Sequence, residues 1–240
     1  MPSLDKTRAW LYNYSITAKE LMMKDKLLTV VFGIAVALFI LSVSIGLPIY
    51  VRPFYYMQID ALDIEGYSGF DRDTIIEAYD EMITYCTVPW AEFGTGELKY
   101  SEEGASHFAD CKGLFLLDGA VILISTALVV ILFILHKKGV FKLSRPLGYP
   151  VTFISAISLL ATFVMVGGLA ATNFVAAFTL FHKLMFPGKD NWLFDPRTDE
   201  IILILPIDFF MNCAILIVAS IILMSAACIV RGALTRDRRE

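Results

Sequence analysis

Residues 27–51 read LLTVVFGIAVALFILSVSIGLPIYV, an apolar stretch without a single acidic or basic side chain. A helix of about 20 such residues crosses a hydrocarbon layer about 30 Å thick. Three further apolar runs reach that length, at residues 113–135, 151–181 and 201–230. The runs do not alternate in polarity as the strands of a membrane barrel do. The sequence therefore predicts an all-α membrane protein with four transmembrane helices.

The overall composition supports this class. Apolar residues make up 57% of the chain and charged residues only 18%, which is typical of an integral membrane protein. The net charge of −4 gives no support for nucleic-acid binding, which usually needs a basic surface.

The distribution of charge predicts the orientation. Lys and Arg collect in residues 1–26, in the loop 136–150 and in the tail 231–240, and segments rich in these residues usually stay in the cytoplasm. Residues 52–112 instead hold thirteen acidic and four basic side chains. This region is predicted to form a small outward-facing domain between the first and second spans, with the loop 182–200 on the same side.

The outer region is too short to build a large core alone, so we expect it to lean on the helix ends. Apolar residues recur at helical spacing from Ile75 to Tyr85, which predicts one amphipathic helix. Thr74 followed by Glu77 fits a capping box at its start.

A second helix start lies at Ser101. Glu102 and Glu103 follow it, and acidic side chains are favoured at the positive end of a helix. A helix that continues from here into the second run places further polar residues on the same stripe as His107: Asp110 or Cys111, and Asp118. A carboxylate inside an apolar run marks either a functional site or a hydrogen bond to a neighbouring helix, and both readings of Asp118 stay open.

His182 lies just beyond the third run, so the charge pattern puts it on the outer side together with His107. The chain's third histidine, His136, falls on the cytoplasmic side. Two imidazoles at the depth where lipid headgroups begin point to proton transfer on a substrate delivered by the membrane, because imidazole can gain or lose a proton near neutral pH.

Several segments together resemble the bacterial lipoprotein intramolecular transacylase (Lit) family. They are SEEGASHFADCK (101–112), FHKLMF (181–186), WLFDP (192–196) and ILP (204–206). The likeness covers most of the chain, and the two histidine motifs are its specific part. Phe108 and Cys111 stand where the family pattern leads us to expect aliphatic residues.

The resemblance implies an enzyme of the bacterial cell membrane, with its active site on the extracytoplasmic side and no cofactor. Its substrate would be a lipoprotein with a diacylglyceryl group on its N-terminal cysteine, and the sn-2 acyl chain would move to the α-amine to give the lyso form. His107 and His182 would then be the catalytic acid and base, in either order. Asp110 or Asp118 would orient His107, and Trp192 and Asp195 would shape the mouth of the site.

Other interpretations stay open on the sequence alone. Two histidines on neighbouring helices can clamp haem iron, and a scaffold or transporter would need neither histidine. No C-x-x-C motif supports thiol oxidoreductase chemistry, and no ligand spacing supports a metal site. Cys86 and Cys111 both fall on the outer side, where they either form a disulfide or remain free thiols.

Overall fold

The first apolar run, up to Tyr50, lies within a single long helix, α1 (Leu4–Tyr50). The computed structural model describes the backbone of residues 4–237 and the side chains of residues 19–164 and 172–237. The ends of the predicted segments 1–26 and 231–240 therefore lie outside the described residues. Seven further α-helices follow in the described part of the chain: α2 (Arg52–Ala61), α3 (Ile64–Ser68), α4 (Arg72–Thr87), α5 (Glu102–Lys137), α6 (Val151–Thr172), α7 (Phe174–Met185) and α8 (Ile207–Leu234).

The protein is all-helical over the described residues, where the only β-type pairing is one isolated bridge between Thr95 and Glu97. Three helices there are long and apolar enough to cross a membrane: Lys19–Tyr50 of α1, α5 and α8. Helix α6 has 22 residues, about 33 Å at 1.5 Å per residue. Its role as a fourth span, between α1 and α8 in the bundle, stays a prediction.

Small residues let the helices of the bundle approach closely. A Cβ on Gly33 of α1 would lie 2.7 Å from a methyl carbon of Val151 at the start of α6. At the same place the Ser155 hydroxyl donates a hydrogen bond of 2.8 Å to the Gly33 carbonyl. Close backbone approach and interhelical hydrogen bonds of this kind stabilise helix packing in lipid, where the hydrophobic effect between helices is weak.

The third apolar run differs from its prediction as one helix over residues 151–181. It breaks at Asn173, where α6 ends and α7 begins. The Asn173 side chain accepts a hydrogen bond of 3.0 Å from the Ala176 amide and so caps the new helix. Asparagine is common at such caps because its short side chain can accept a hydrogen bond from a backbone amide that has no partner inside the helix. The break gives α7, which carries His182, a direction of its own.

The fourth run, predicted over residues 201–230, also differs at its start. Helix α8 begins only after Pro206, because proline has no amide hydrogen and fits best at the beginning of a helix. The preceding residues form a short 3₁₀ turn, Glu200–Leu203. Ile201, Ile204 and Leu205 of this stretch are buried in the core of the outer domain.

The outer domain packs on the helix ends, as its small size predicted. Tyr55 of α2 and Tyr79 of α4 stack with ring centroids 3.6 Å apart, and the Tyr55 hydroxyl donates to the Ile204 carbonyl at 2.8 Å. The same core takes in Phe108 of α5 and Phe209 of α8. The predicted amphipathic helix is confirmed as α4. Its cap is the Asp71 side chain, which accepts from the Thr74 amide, rather than the predicted Thr74–Glu77 box.

The predicted helix start at Ser101 is confirmed, since the Ser101 hydroxyl accepts from the Gly104 amide at 3.0 Å. Helix α5 has 36 residues, about 54 Å, whereas a crossing needs about 20 residues. The predicted span 113–135 therefore leaves three turns of α5 free to belong to the outer domain. His107 lies on these turns.

Candidate active site

His107 lies on the second turn of α5 with only 5% of its surface exposed. The ring sits among aromatic side chains, edge-on to Phe186 at 5.0 Å and to Phe194 at 5.5 Å between centroids. Its Nε2 atom is 3.4 Å from the Sγ atom of Cys111, one turn further along the helix. Its Nδ1 atom is buried without a hydrogen-bond partner in the described structure.

His182 lies on the last turn of α7 and is 8% exposed. Its Nδ1 atom is 2.8 Å from the Phe178 carbonyl oxygen. A carbonyl oxygen only accepts hydrogen bonds, so Nδ1 carries the proton of the neutral ring and Nε2 keeps a lone pair. Burial lowers the pKa of His182, against a smaller opposing effect of the Phe178 hydrogen bond. At neutral pH the ring is therefore ready to accept a proton at Nε2.

The two imidazoles face each other across the junction of α5 and α7. Their ring centroids are 5.7 Å apart and their planes are inclined by 34°. The structure thus brings together the two histidines that the sequence singled out. Two positive charges at this distance in a buried setting repel strongly, so uptake of a proton by one ring favours its release from the other.

Trp192 closes one side of the pair. Its ring lies 4.8 Å from that of His182, and its indole N–H donates to the Lys189 carbonyl at 3.0 Å. Phe178 covers another side of His182 at 4.2 Å. The rings surrounding both histidines form an apolar, aromatic wall that suits the acyl chains of a lipid better than a charged solute.

Asp110 does not hydrogen-bond to His107. Its carboxylate pairs with the Lys189 ammonium at 2.6 Å and accepts from the Asn191 amide at 3.1 Å. Both partners belong to the loop that carries Trp192. Asp110 therefore fastens this loop to α5, and it is the loop, rather than the His107 ring, that the carboxylate positions directly.

A second attachment of the same loop uses a buried carboxylate. Asp199, only 4% exposed, accepts hydrogen bonds of 2.8 Å from both the amide and the hydroxyl of Ser101. The Ser101 hydroxyl also caps α5. The start of the helix that carries His107 and the loop that covers the histidine pair are thus fixed by one polar network.

Gly104 lies where α5 meets this network. A Cβ there would overlap the Oδ1 atom of Asp199 and lie 3.2 Å from a Phe194 ring carbon. We expect Gly104→Ala to lower the free energy of unfolding by about 1–3 kcal/mol, the usual effect of overpacking, although alanine is the better helix former. Thermal unfolding in detergent measures this change.

Gly113, on the same helix, provides the matched control, because nothing lies within 4 Å of a Cβ built there. Gly113→Ala should leave the unfolding temperature unchanged or raise it slightly. Equal unfolding temperatures for the Gly104→Ala and Gly113→Ala variants would show that the loop is not held tightly against α5.

Two predicted supporting residues, Asp118 and Asp195, have no hydrogen bond to either histidine among the residues described. Asp118 is eleven residues beyond His107 on α5, about 16 Å along the axis, so it is out of hydrogen-bond reach. Its neighbour is Tyr50 at the end of α1, and its Oδ2 atom is buried without a described partner. Asp195 pairs with the exposed Arg197 at 2.5 Å, and this guanidinium lowers the pKa of Asp195 to about 2.

The outer cysteines are free thiols in the structure, so the disulfide left open by the sequence is not formed. The Cys86 Sγ atom is buried and lies 3.8 Å from the Phe108 carbonyl, whereas Cys111 contacts His107. Among the residues described, no group of three or more His, Cys, Asp or Glu side chains is arranged to hold a metal ion.

Sequence reasoning missed the residues that hold the covering loop: Lys189, Asn191, Phe194 and Asp199. Phe194 lies within a segment that carries the family resemblance, and this was a usable signal. Lys189, Asn191 and Asp199 have no distinguishing local pattern, because their partners on α5 are far away in the sequence.

Comparison with known proteins agrees with this architecture. The sequence model of the family described as lipoprotein intramolecular transacylase Lit matches residues 30–210. No curated protein matches the chain.

Solved structures of the membrane integral lipoprotein intramolecular transacylase Lit from Bacillus cereus are similar to this fold. One has a TM-score of 0.74 and 31% identity, covering 89% of this chain and 96% of the other. A variant of that protein with one histidine replaced by alanine has a TM-score of 0.74 and 28% identity, covering 91% and 96%.

Proposed function

The chain belongs to the lipoprotein intramolecular transacylase family of bacterial membrane proteins, and we propose that it moves the sn-2 acyl chain of a diacylglyceryl lipoprotein onto the α-amine of the N-terminal cysteine. The product is the lyso-form lipoprotein. The observation that carries the proposal is the buried pair of imidazoles with centroids 5.7 Å apart.

The reaction forms one bond and breaks one bond within a single molecule. The amine nitrogen bonds to the ester carbonyl carbon, and the bond from that carbon to the sn-2 glyceryl oxygen breaks. The entering ammonium holds three protons and the amide product keeps one. Of the other two, one ends on the glyceryl oxygen and one leaves for the solvent. The enzyme therefore has to handle protons, and no covalent enzyme intermediate is required.

We assign the role of general base to His182. Its Nδ1–H group donates to the Phe178 carbonyl, so its Nε2 lone pair is free to accept a proton. His107 is the acid, which takes up the first proton of the ammonium and passes it to the glyceryl oxygen. Repulsion between two charged rings couples these steps, since His182 is protonated most easily as His107 gives its proton away.

Positioning adds to this proton transfer. The aromatic side chains around the pair hold one lipid with its amine and its ester side by side. Holding two reacting groups in attack geometry can lower a barrier by as much as about 7–11 kcal/mol in strongly oriented intramolecular reactions. The buried wall also keeps water from hydrolysing the ester.

The proposed site faces the extracytoplasmic side of the membrane. Support comes from the basic segments at the opposite ends of the helices and from the position of His107 on the turns of α5 that precede the predicted span. Diacylglyceryl lipoproteins anchored in the outer leaflet would reach such a site by lateral diffusion.

Tandem mass spectrometry of lipoprotein N-termini tests the proposal. Substrate and product have the same mass, because the acyl chain only changes its position, so fragmentation must locate it. In a bacterial host whose lipoproteins carry free α-amines, expression of this protein should place an acyl chain on the cysteine nitrogen. Free α-amines in all lipoproteins despite normal expression would contradict the proposal, and this is the result that a scaffold or transporter would give.

A further inference from the structure

Cys111 is the one side chain that the described structure places within hydrogen-bond distance of the His107 ring. Its Sγ atom lies 3.4 Å from Nε2, while Nδ1 is buried and has no partner. Only 5% of the residue is exposed. An unpartnered polar atom this deeply buried is uncommon in folded proteins and calls for an explanation.

The direction of the hydrogen bond between Cys111 and His107 follows from which ring nitrogen has no partner. A thiol can accept or donate a weak hydrogen bond. If Cys111 donated to Nε2, the neutral ring would leave an N–H group at Nδ1 buried without an acceptor, and orphaned N–H groups are rarer than unpaired acceptors. If Nε2 donates to the sulfur, Nδ1 keeps only a lone pair. The second arrangement is the less costly one.

The other outer thiol has a different environment. Cys86 lies 3.8 Å from the Phe108 carbonyl and is fully buried in the outer core, and burial raises the pKa of this thiol. It contacts the backbone of α5 rather than a histidine. Proximity to the imidazole therefore distinguishes Cys111, which stands where the family resemblance led us to expect an aliphatic residue.

We propose that Cys111 is a positioning residue, whose sulfur accepts a hydrogen bond from the Nε2–H group of His107 and so fixes the tautomer with a free lone pair at Nδ1. This rests on the proposed function. Nδ1 then takes a proton from the substrate ammonium and gives it to the glyceryl oxygen, while Nε2 keeps its own proton throughout. The Cys111–His107 contact has the same role as the contact at His182, where the Phe178 carbonyl accepts from Nδ1 and leaves the Nε2 lone pair free.

The tautomer can be measured directly. The chain has three histidines, so ¹⁵N-histidine labelling gives a spectrum that single substitutions at His136 and His182 assign. In the wild-type protein, Nε2 of His107 should resonate as a protonated nitrogen and Nδ1 as an unprotonated one. Cys111→Val, which removes the acceptor at similar volume, should give mixed tautomers. Cys111→Ser, which restores an acceptor, should restore the wild-type pattern.

Turnover provides the second readout. We expect Cys111→Val to lower kcat about 3- to 10-fold with KM unchanged, the range of one modest hydrogen bond. Cys111→Ser should recover most of this loss. Cys228→Val is the matched control and should keep wild-type turnover. Cys228 lies near the end of α8 that is remote from the histidine pair.

The NMR result separates this inference from the proposed function, because it needs no substrate. A proton on Nδ1 of His107 in the wild-type protein would overturn the inference even if the enzyme transfers acyl chains. An unchanged tautomer in Cys111→Val would also overturn it. Wild-type turnover in Cys111→Val would show that the contact does not serve catalysis.

Discussion

Replacing His182 by glutamine should lower the rate of acyl transfer to the α-amine by about 10²- to 10⁴-fold, the range expected for loss of a general base. Glutamine fills a similar volume but cannot take a proton near neutral pH. The conversion of a synthetic diacylglyceryl lipopeptide by purified enzyme in detergent measures the rate. The elution volume and the unfolding temperature of the variant show whether it is folded.

The pH dependence of the same assay links this loss to the imidazole. Because burial lowers the pKa of His182, the ring stays unprotonated down to and below its ordinary value of about 6.5. The wild-type rate should therefore hold between pH 8 and about 6.5 and fall only at lower pH. This acidic decline should be missing from the residual activity of His182→Gln. The same decline in the variant would assign it to another group.

His107→Gln should cause a loss of similar size, about 10²- to 10⁴-fold, for a different reason. Without His107 the glyceryl oxygen has no proton donor and has to leave as an alkoxide. A lipopeptide with a sulfur atom in place of the sn-2 ester oxygen distinguishes the two roles, because a thiolate leaves without a proton. The assay is run above the pKa of the substrate's α-amine, about 8, so that the amine attacks without first giving a proton to His107. After subtraction of the uncatalysed rate, this substrate should restore much of the activity of His107→Gln but little of that of His182→Gln.

The outcomes of this comparison are distinct. Equal rescue of both variants would contradict the assignment of acid and base, and rescue of His182→Gln alone would reverse it. His136→Ala is the matched control. That ring lies about 43 Å from His107 along α5 and contacts the Phe141 carbonyl at 3.3 Å, so its removal should leave the rate unchanged. A loss of activity in a folded His136→Ala variant would contradict the restriction of proton transfer to His107 and His182.

The histidine pair illustrates which inferences a sequence can support. The charge pattern and the lengths of the apolar runs were enough to place His107 and His182 on one side of the membrane. Ser101 and the two acidic residues after it were enough to begin α5 there and to carry His107 beyond the predicted span. These features depend only on residues close in the sequence and on the known thickness of the bilayer. They can therefore be predicted without knowing how the helices pack.

The predicted stripe on α5 was less informative about contacts. It put Asp110 and Asp118 on the same side of the helix as His107. Residues on one side of a helix can still lie far apart along its axis, and other segments can supply closer hydrogen-bond partners. Asp110 pairs with Lys189 of the loop after α7, and Asp118 lies three turns too deep. Neither carboxylate therefore holds the His107 ring through a hydrogen bond in the described structure.

By itself, the sequence determined the helical membrane class, and it predicted the sidedness and the two residues proposed to transfer protons. The tertiary structure alone decided the attachment of the covering loop through Asp110 and Asp199 and the approach of the His107 ring to the His182 ring. The physical reason is range. Hydropathy and helix propensity act over a few turns, whereas the distance between two rings on α5 and α7 depends on how separate helices pack.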